Sequence, residues 1–348
     1  MNDVIMPDPG IIFPYNDPLD KSWYHTTPGH NVLTIDEQSQ KCFPKTDPDP
    51  DAKQIVFGPA QTCGIQRASS STTYLGVMQD RAIFFTPEYV ADLFSAFSET
   101  SHTYDLGWHL RGDFATELKL EPLKFPKDVA VGYSALLDTQ HATTDKAWTA
   151  SFTTKGQFTR LVAESASGTE IITGNGFYRM EHKNEKTPAV YERRKAKSVI
   201  FANAVDISGS KEGCVKSVTQ DGGLEAGYGL MKVETVKGTD LCFAAYRPGT
   251  YQAGGLETDA QQAFVQMDGA TPRTLYLAGG KTLKIGAAVV QRSESGLAYV
   301  ERLANGTYVV GNPSATEATV TVTLPGITGA TPFTTRLGAR SSAPLPAH

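Results

Sequence analysis

Three observations predict an all-β chain: more than ten short apolar runs rich in β-branched and aromatic residues, clusters of Gly, Pro, Asn and Asp between them, and no 10–15-residue helical segments alternating with strands. The expected architecture is an antiparallel β-sandwich followed by a small β domain. The clearest strands fall at residues 31–36, 81–85, 89–94, 158–162, 169–173, 198–205, 229–235, 241–246, 274–278, 299–303, 307–311 and 318–324. In 319–324 (TVTVTL) threonine alternates with valine and leucine, which places one face on a core and wets the other. Residues 89–98 and 258–267 are helix-like but carry mixed periodicity and are too short to change the class.

The turn-rich run QRSESG at 291–296 divides the chain into a body over residues 1–292 and a small carboxyl-terminal β domain over 293–348. The acidic run TDPDPD at 46–51 reads as an exposed loop, because strand-like sequence resumes on both sides of it.

With 348 residues, 40% hydrophobic and 20% charged, the composition is that of a globular protein with one to three domains. A formal net charge of −5 gives no global attraction to nucleic acid or to an anionic membrane, so an acidic ligand has to be met by a local basic cluster. No apolar stretch approaches the roughly 20 residues of a membrane helix. Residues 1–10 lack a basic region followed by an apolar one, so no signal peptide is expected in this chain. Cys42, Cys63, Cys214 and Cys242 show no CxxC spacing. In an oxidising compartment Cys42–Cys63 and Cys214–Cys242 are candidate bridges, and four free buried thiols are the alternative.

Three clusters carry residue types suited to chemistry. Asp8-Pro9-Gly10, Trp23-Tyr24-His25, Gly29-His30-Asn31 and Asp36 hold groups able to move protons or ligate a metal, although each also reads as a turn or a core aromatic. The segment 101–112 holds His102, Tyr104, Asp105, Trp108, His109 and Arg111. Its two histidines, seven apart, point to opposite faces of an extended strand, so sugar contact or a structural role suits them better than shared ligation. The run ERRKAK at 192–197 offers Arg193 and Arg194 to a carboxylate or sulfate, or else forms a solvated face. There is no GxSxG, P-loop, helix-opening GxGxxG or HExxH, so hydrolase, nucleotide and zinc-protease readings lack their anchors.

The order of these motifs resembles the heparinase II/III-like polysaccharide lyases. Met6-Pro7-Asp8-Pro9-Gly10, Tyr15, Trp23-Tyr24, Thr27, Gly29-His30-Asn31-Val32 and Ile35-Asp36 follow one another as in that family. The likeness continues through Tyr74-Leu75-Gly76-Val77, Arg81, His102, His109 and Gly112 to Arg193-Arg194 and Val199-Ile200-Phe201, covering residues 6–205. It implies a supersandwich-like β fold and β-elimination on a uronate-containing polysaccharide. It further implies that Tyr24 takes part in proton transfer, with Tyr15 as its competitor, and that Asp8 and His30 ligate a structural zinc. Substrate contacts are expected at His25, Asn31, His109, Arg193 and Arg194.

Two family parts are not found in this sequence: the amino-terminal α/α toroid and the His-x-His motif that gives the third zinc ligand. The expected partners are therefore an acidic polysaccharide or oligosaccharide and a toroid, either on another chain or in the unabridged gene product, with no nucleic acid and no membrane. A periplasmic or secreted parent enzyme is implied, with the isolated chain weak or inactive. A non-catalytic carbohydrate-binding or structural β-sandwich is the alternative.

Overall fold

The strand Ala318–Thr323 shows how the sequence pattern becomes structure: Ala318, Val320 and Val322 are buried while the threonines between them are half-buried. The structure, a computed structural model, describes residues 4–10, 17–42, 51–126, 128–178, 184–328 and 331–346. Tyr15 and the loop 46–50 lie outside the described residues. Among those described, the strands form two twelve-stranded antiparallel sheets, the first from Leu33 to Gly209 and the second from Val215 to Pro344. Among the described residues helical geometry is confined to short turns at Asp20–Tyr24, Thr27–Gly29 and Tyr133–Ala135. No helix among the described residues is long and apolar enough to cross a membrane.

Two long strands, Tyr89–His109 and Lys186–Gly209, pair antiparallel and form the backbone of the first sheet. Tyr89, Ala91 and Leu93 enter the core between the sheets, where Val233, Cys242, Phe264 and Tyr276 of the second sheet meet them. Phe94, Tyr104, Leu106 and Trp108 pack on the opposite side against Trp148, Phe152 and Leu161, because the first sheet rolls over on itself. This burial on both faces explains why 89–98 looked helix-like: a strand covered on both sides loses its period of two. The other helix-like stretch also lies in strands, Leu256–Thr258 and Gln262–Asp268.

The expected division after residue 292 falls inside one strand, Ala288–Arg302. That strand pairs with Thr271–Ile285 on both sides of the run QRSESG, Gln291 opposite Thr282 and Leu297 opposite Ala278, with register shifts between. The turn-like composition thus marks an irregularity in a hairpin, and the chain changes sheets at 210–214 instead. All four cysteines are free thiols, Cys42 exposed and the others buried in the core between the sheets, so neither candidate bridge forms.

Candidate functional site

The local folding of 17–30 fixes the first group of candidates. The Asp17 carboxylate accepts from the Leu19 amide at 2.9 Å, and the turn Asp20–Tyr24 closes with the His25 amide donating to the Asp20 carbonyl at 3.0 Å. This throws Trp23 and Tyr24 inward onto Tyr133, Ile172, Ala189 and Tyr191. Trp23 donates to the Phe177 carbonyl at 3.1 Å, and Gly176 is required beneath it, since a Cβ there would sit 2.1 Å from the indole. The Pro28 carbonyl then accepts from Tyr191 Oη at 2.6 Å and His109 Nε2 at 2.9 Å.

Asp8 and His30, 22 residues apart, meet with Asp8 Oδ2 3.1 Å from His30 Nδ1, and His30 Nε2 lies 3.1 Å from the Tyr24 carbonyl. A carbonyl only accepts, so Nε2 carries a proton. Nδ1 then either carries a second proton and forms an ion pair, or turns a lone pair toward the carboxylate, the arrangement of two donors around a cation. Burial works against the Asp8 carboxylate, but the Gly10 amide at 2.8 Å and His30 outweigh it and hold its pKa below the usual range. Zinc sites take about four ligands, and the described residues contain no group of three or more His, Cys, Asp or Glu able to hold one ion. Two donors alone do not make such a site.

Asn31 joins this group as a brace. Its side chain donates to the Pro7 carbonyl at 3.1 Å and accepts from the His109 amide at 2.7 Å. His109 is buried against Trp23 and Tyr191, and burial drives its pKa down to about 4, so it is neutral near pH 7. Tyr24 is 1% exposed. The ring does not reach the surface, where a polymer would have to meet it. His25 points outward, 3.6 Å from the Asp20 carboxylate.

A second group forms around Arg193. Its guanidinium binds Asp105 through Nε and Nη2, both at 2.8 Å, and Nη2 also meets Glu37 at 2.8 Å. Tyr133 donates to the same Asp105. Burial raises the Asp105 pKa against the pull of Arg193. Asp36 and Glu37 sit at φ of 50° and 59°, a reversal that non-glycine residues rarely adopt and that often marks functional sites. The reversal turns Glu37 back to Arg193 and brings Asp36 2.6 Å from His102 Nδ1 and 2.8 Å from the Thr103 amide.

Beside this group opens a cleft of about 430 Å³, lined by Asp36, Glu37, Thr103, Glu170, Arg193 and Lys195. His141 stands 2.7 Å from Glu170. The lining carries both carboxylates to accept from sugar hydroxyls and cations to meet an acid.

Arg194 does not join it. Successive strand residues alternate faces, so Arg193 and Lys195 line the cleft while Arg194 is buried against Glu164 at 2.9 Å and the Ile200 carbonyl at 2.8 Å. The expected contact from Arg194 is thus replaced by a structural ion pair. Period two in ERRKAK carried that distinction. Glu37, Tyr133, His141 and Glu170 were not anticipated, because only strand pairing brings them to Arg193.

No family model matches the chain, and no curated protein matches it. Among solved structures it is similar to a heparinase III, with a TM-score of 0.51 and 12% identity over 69% of this chain and 34% of that one. It is also similar to heparan sulfate lyase HepC from Pedobacter heparinus, with a TM-score of 0.49 and 16% identity over 71% of this chain and 35% of that one. The likeness to heparinase III shows a shared fold. The chain spans about a third of the length of these structures.

Proposed function

We propose that this chain is the β-sheet portion of a polysaccharide lyase acting on uronate-containing polysaccharide by β-elimination. The observation that carries the reading is the meeting of Asp8 and His30 at 3.1 Å, as the motif order implied, on a fold shared with a heparinase III. β-Elimination removes the proton at C5 of the uronate, expels the 4-linked oxygen and leaves a C4–C5 double bond. It requires the adjacent carboxylate to be neutralised and the developing charge to be stabilised.

In this reading Lys195 and Arg193 meet the uronate carboxylate, while Glu37 and Glu170 accept from ring hydroxyls. Tyr24, the implied proton carrier, is interior, so the chain as folded binds sugar without cleaving it. Asp8 and His30 are the two ligands these residues offer to a zinc completed from elsewhere, and a toroid, on another chain or in a longer form of this one, supplies the remaining catalytic groups.

The test incubates the chain with heparan sulfate, alginate, chondroitin sulfate and hyaluronan, following absorbance of the unsaturated product, and measures binding in parallel. Binding that weakens in Arg193→Gln, with little or no turnover, is expected. Robust turnover by the chain alone, lost in Tyr24→Phe, would show a complete site and refute the division of labour. Absence of binding to any uronate polymer would refute the reading itself.

A further inference from the structure

At the junction of the two sheets lies a second groove, open-sided and about 640 Å³, between the edge strand Lys53–Pro59 of the first sheet and, in the second, the turn at 339–340 with the start of the strand Ser341–Pro344. Strands Gly64–Ser70 and Val77–Phe85 separate this edge from Tyr89–His109, so at about 4.8 Å per strand the groove stands roughly 14 Å or more from the cleft beside Arg193. We propose that it is a binding site for an anionic oligosaccharide, distinct from the candidate site.

The walls and floor supply three complementary features. Phe57 is 60% exposed on the edge strand and, with Leu297, gives the flat apolar surface against which the C–H face of a pyranose packs. Gln61 and Ser342, both exposed, are linked at 3.3 Å across the floor and bring an amide and a hydroxyl to the ring hydroxyls. Arg340 is the sole charged residue in the lining.

Arg340 is also posed for a ligand. Its φ is 50°, and its amide donates to the Ser314 carbonyl at 3.0 Å, which fixes the turn beside the groove. Its guanidinium makes no hydrogen bond or ion pair among the described residues. In a protein of net charge −5, a groove whose only charge is an unpaired guanidinium complements a carboxylate or sulfate. An apolar peptide would cover Phe57 but leave the Arg340 guanidinium buried without a counter-charge, a cost that an anionic sugar avoids.

The inference does not depend on turnover and can fail while the lyase reading stands. Calorimetric titration of the full chain would use a heparan sulfate hexasaccharide and a polyuronate hexasaccharide, with cellohexaose as the neutral control. Arg340→Asn, in which asparagine tolerates the left-handed backbone, should weaken anionic binding about tenfold or more, the loss expected of a charge-assisted contact. Phe57→Ala should weaken it as well, both variants keeping the thermal midpoint of the parent. Arg193→Gln should remove only the binding at the cleft and leave in place the component that depends on Arg340 and Phe57.

The proposal is overturned if neither anionic hexasaccharide binds, if Arg340→Asn and Phe57→Ala bind as the parent does, or if cellohexaose binds equally well. Sedimentation of the free chain provides a further arm: a concentration-dependent dimer lost in Phe57→Ala would assign the groove to a second copy of the chain and overturn it too.

Discussion

Lowering the pH from 7 to 4 is expected to weaken folding through His109. Burial lowers its pKa from the ordinary 6.5 to about 4 in the folded chain, where it lies against Trp23 and Tyr191 with Nε2 bonded to the Pro28 carbonyl. A folded-state pKa below the unfolded one means that stability is fully present above pH 6.5 and is lost as pH falls toward 4, because the unfolded chain takes up the proton first. The gap is roughly 2.5 pH units, and at about 1.4 kcal/mol for each the loss by pH 4 is about 3 kcal/mol.

Glu192 acts in the opposite sense over nearly the same window. Burial raises its pKa from 4.5 to about 7, so its contribution is present below pH 4.5 and is lost as pH rises toward 7. The parent profile therefore mixes the two, and the difference from His109→Gln isolates the histidine. Urea unfolding at intervals from pH 4 to 7.5 should show that difference shrinking by about 3 kcal/mol as pH falls. Parallel profiles across the window would refute a buried neutral His109.

Replacing Asp105 with asparagine leaves Arg193 with Glu37 as its remaining counter-charge and should cost about 1–3 kcal/mol, read as a lower urea midpoint. Gly176→Ala drives a methyl into the Trp23 indole and should destabilise by about 1–3 kcal/mol, with a shift in tryptophan emission reporting the displaced ring. Of the four thiols, only Cys42 should react quickly with a disulfide reagent in the native chain, since burial pushes the thiols of Cys63, Cys214 and Cys242 up. Native labelling of two or more thiols at comparable rates would contradict the burial.

The all-β class was legible because its signals are local: Ala318–Thr323 declares its inward face within six residues. The meeting of Asp8 with His30 was legible only through motif order, because nothing in a 22-residue separation specifies contact. The cleft was less accessible still. Arg193 reaches Asp105 across 88 residues, and that contact depends on the register between two long strands. Arg194 was misplaced for a simpler reason: a basic run was read as a patch of charge, when its position in a strand sorts neighbours to opposite faces. The run at 291–296 lies within a strand for a related reason, since Gly and Ser in a long hairpin mark a slip in pairing as readily as a link between domains.

The paired strands Tyr89–His109 and Lys186–Gly209 also have a mechanical consequence. The strand pair that sets Arg193 opposite Asp105 also sets, beyond a register shift between Ala196 and Ser198, Phe201 opposite Phe94 and Ala202 opposite Leu93, deep in the body of the protein. The cleft is thus built on the far ends of strands anchored in the core, so its charged groups keep their register before any sugar arrives.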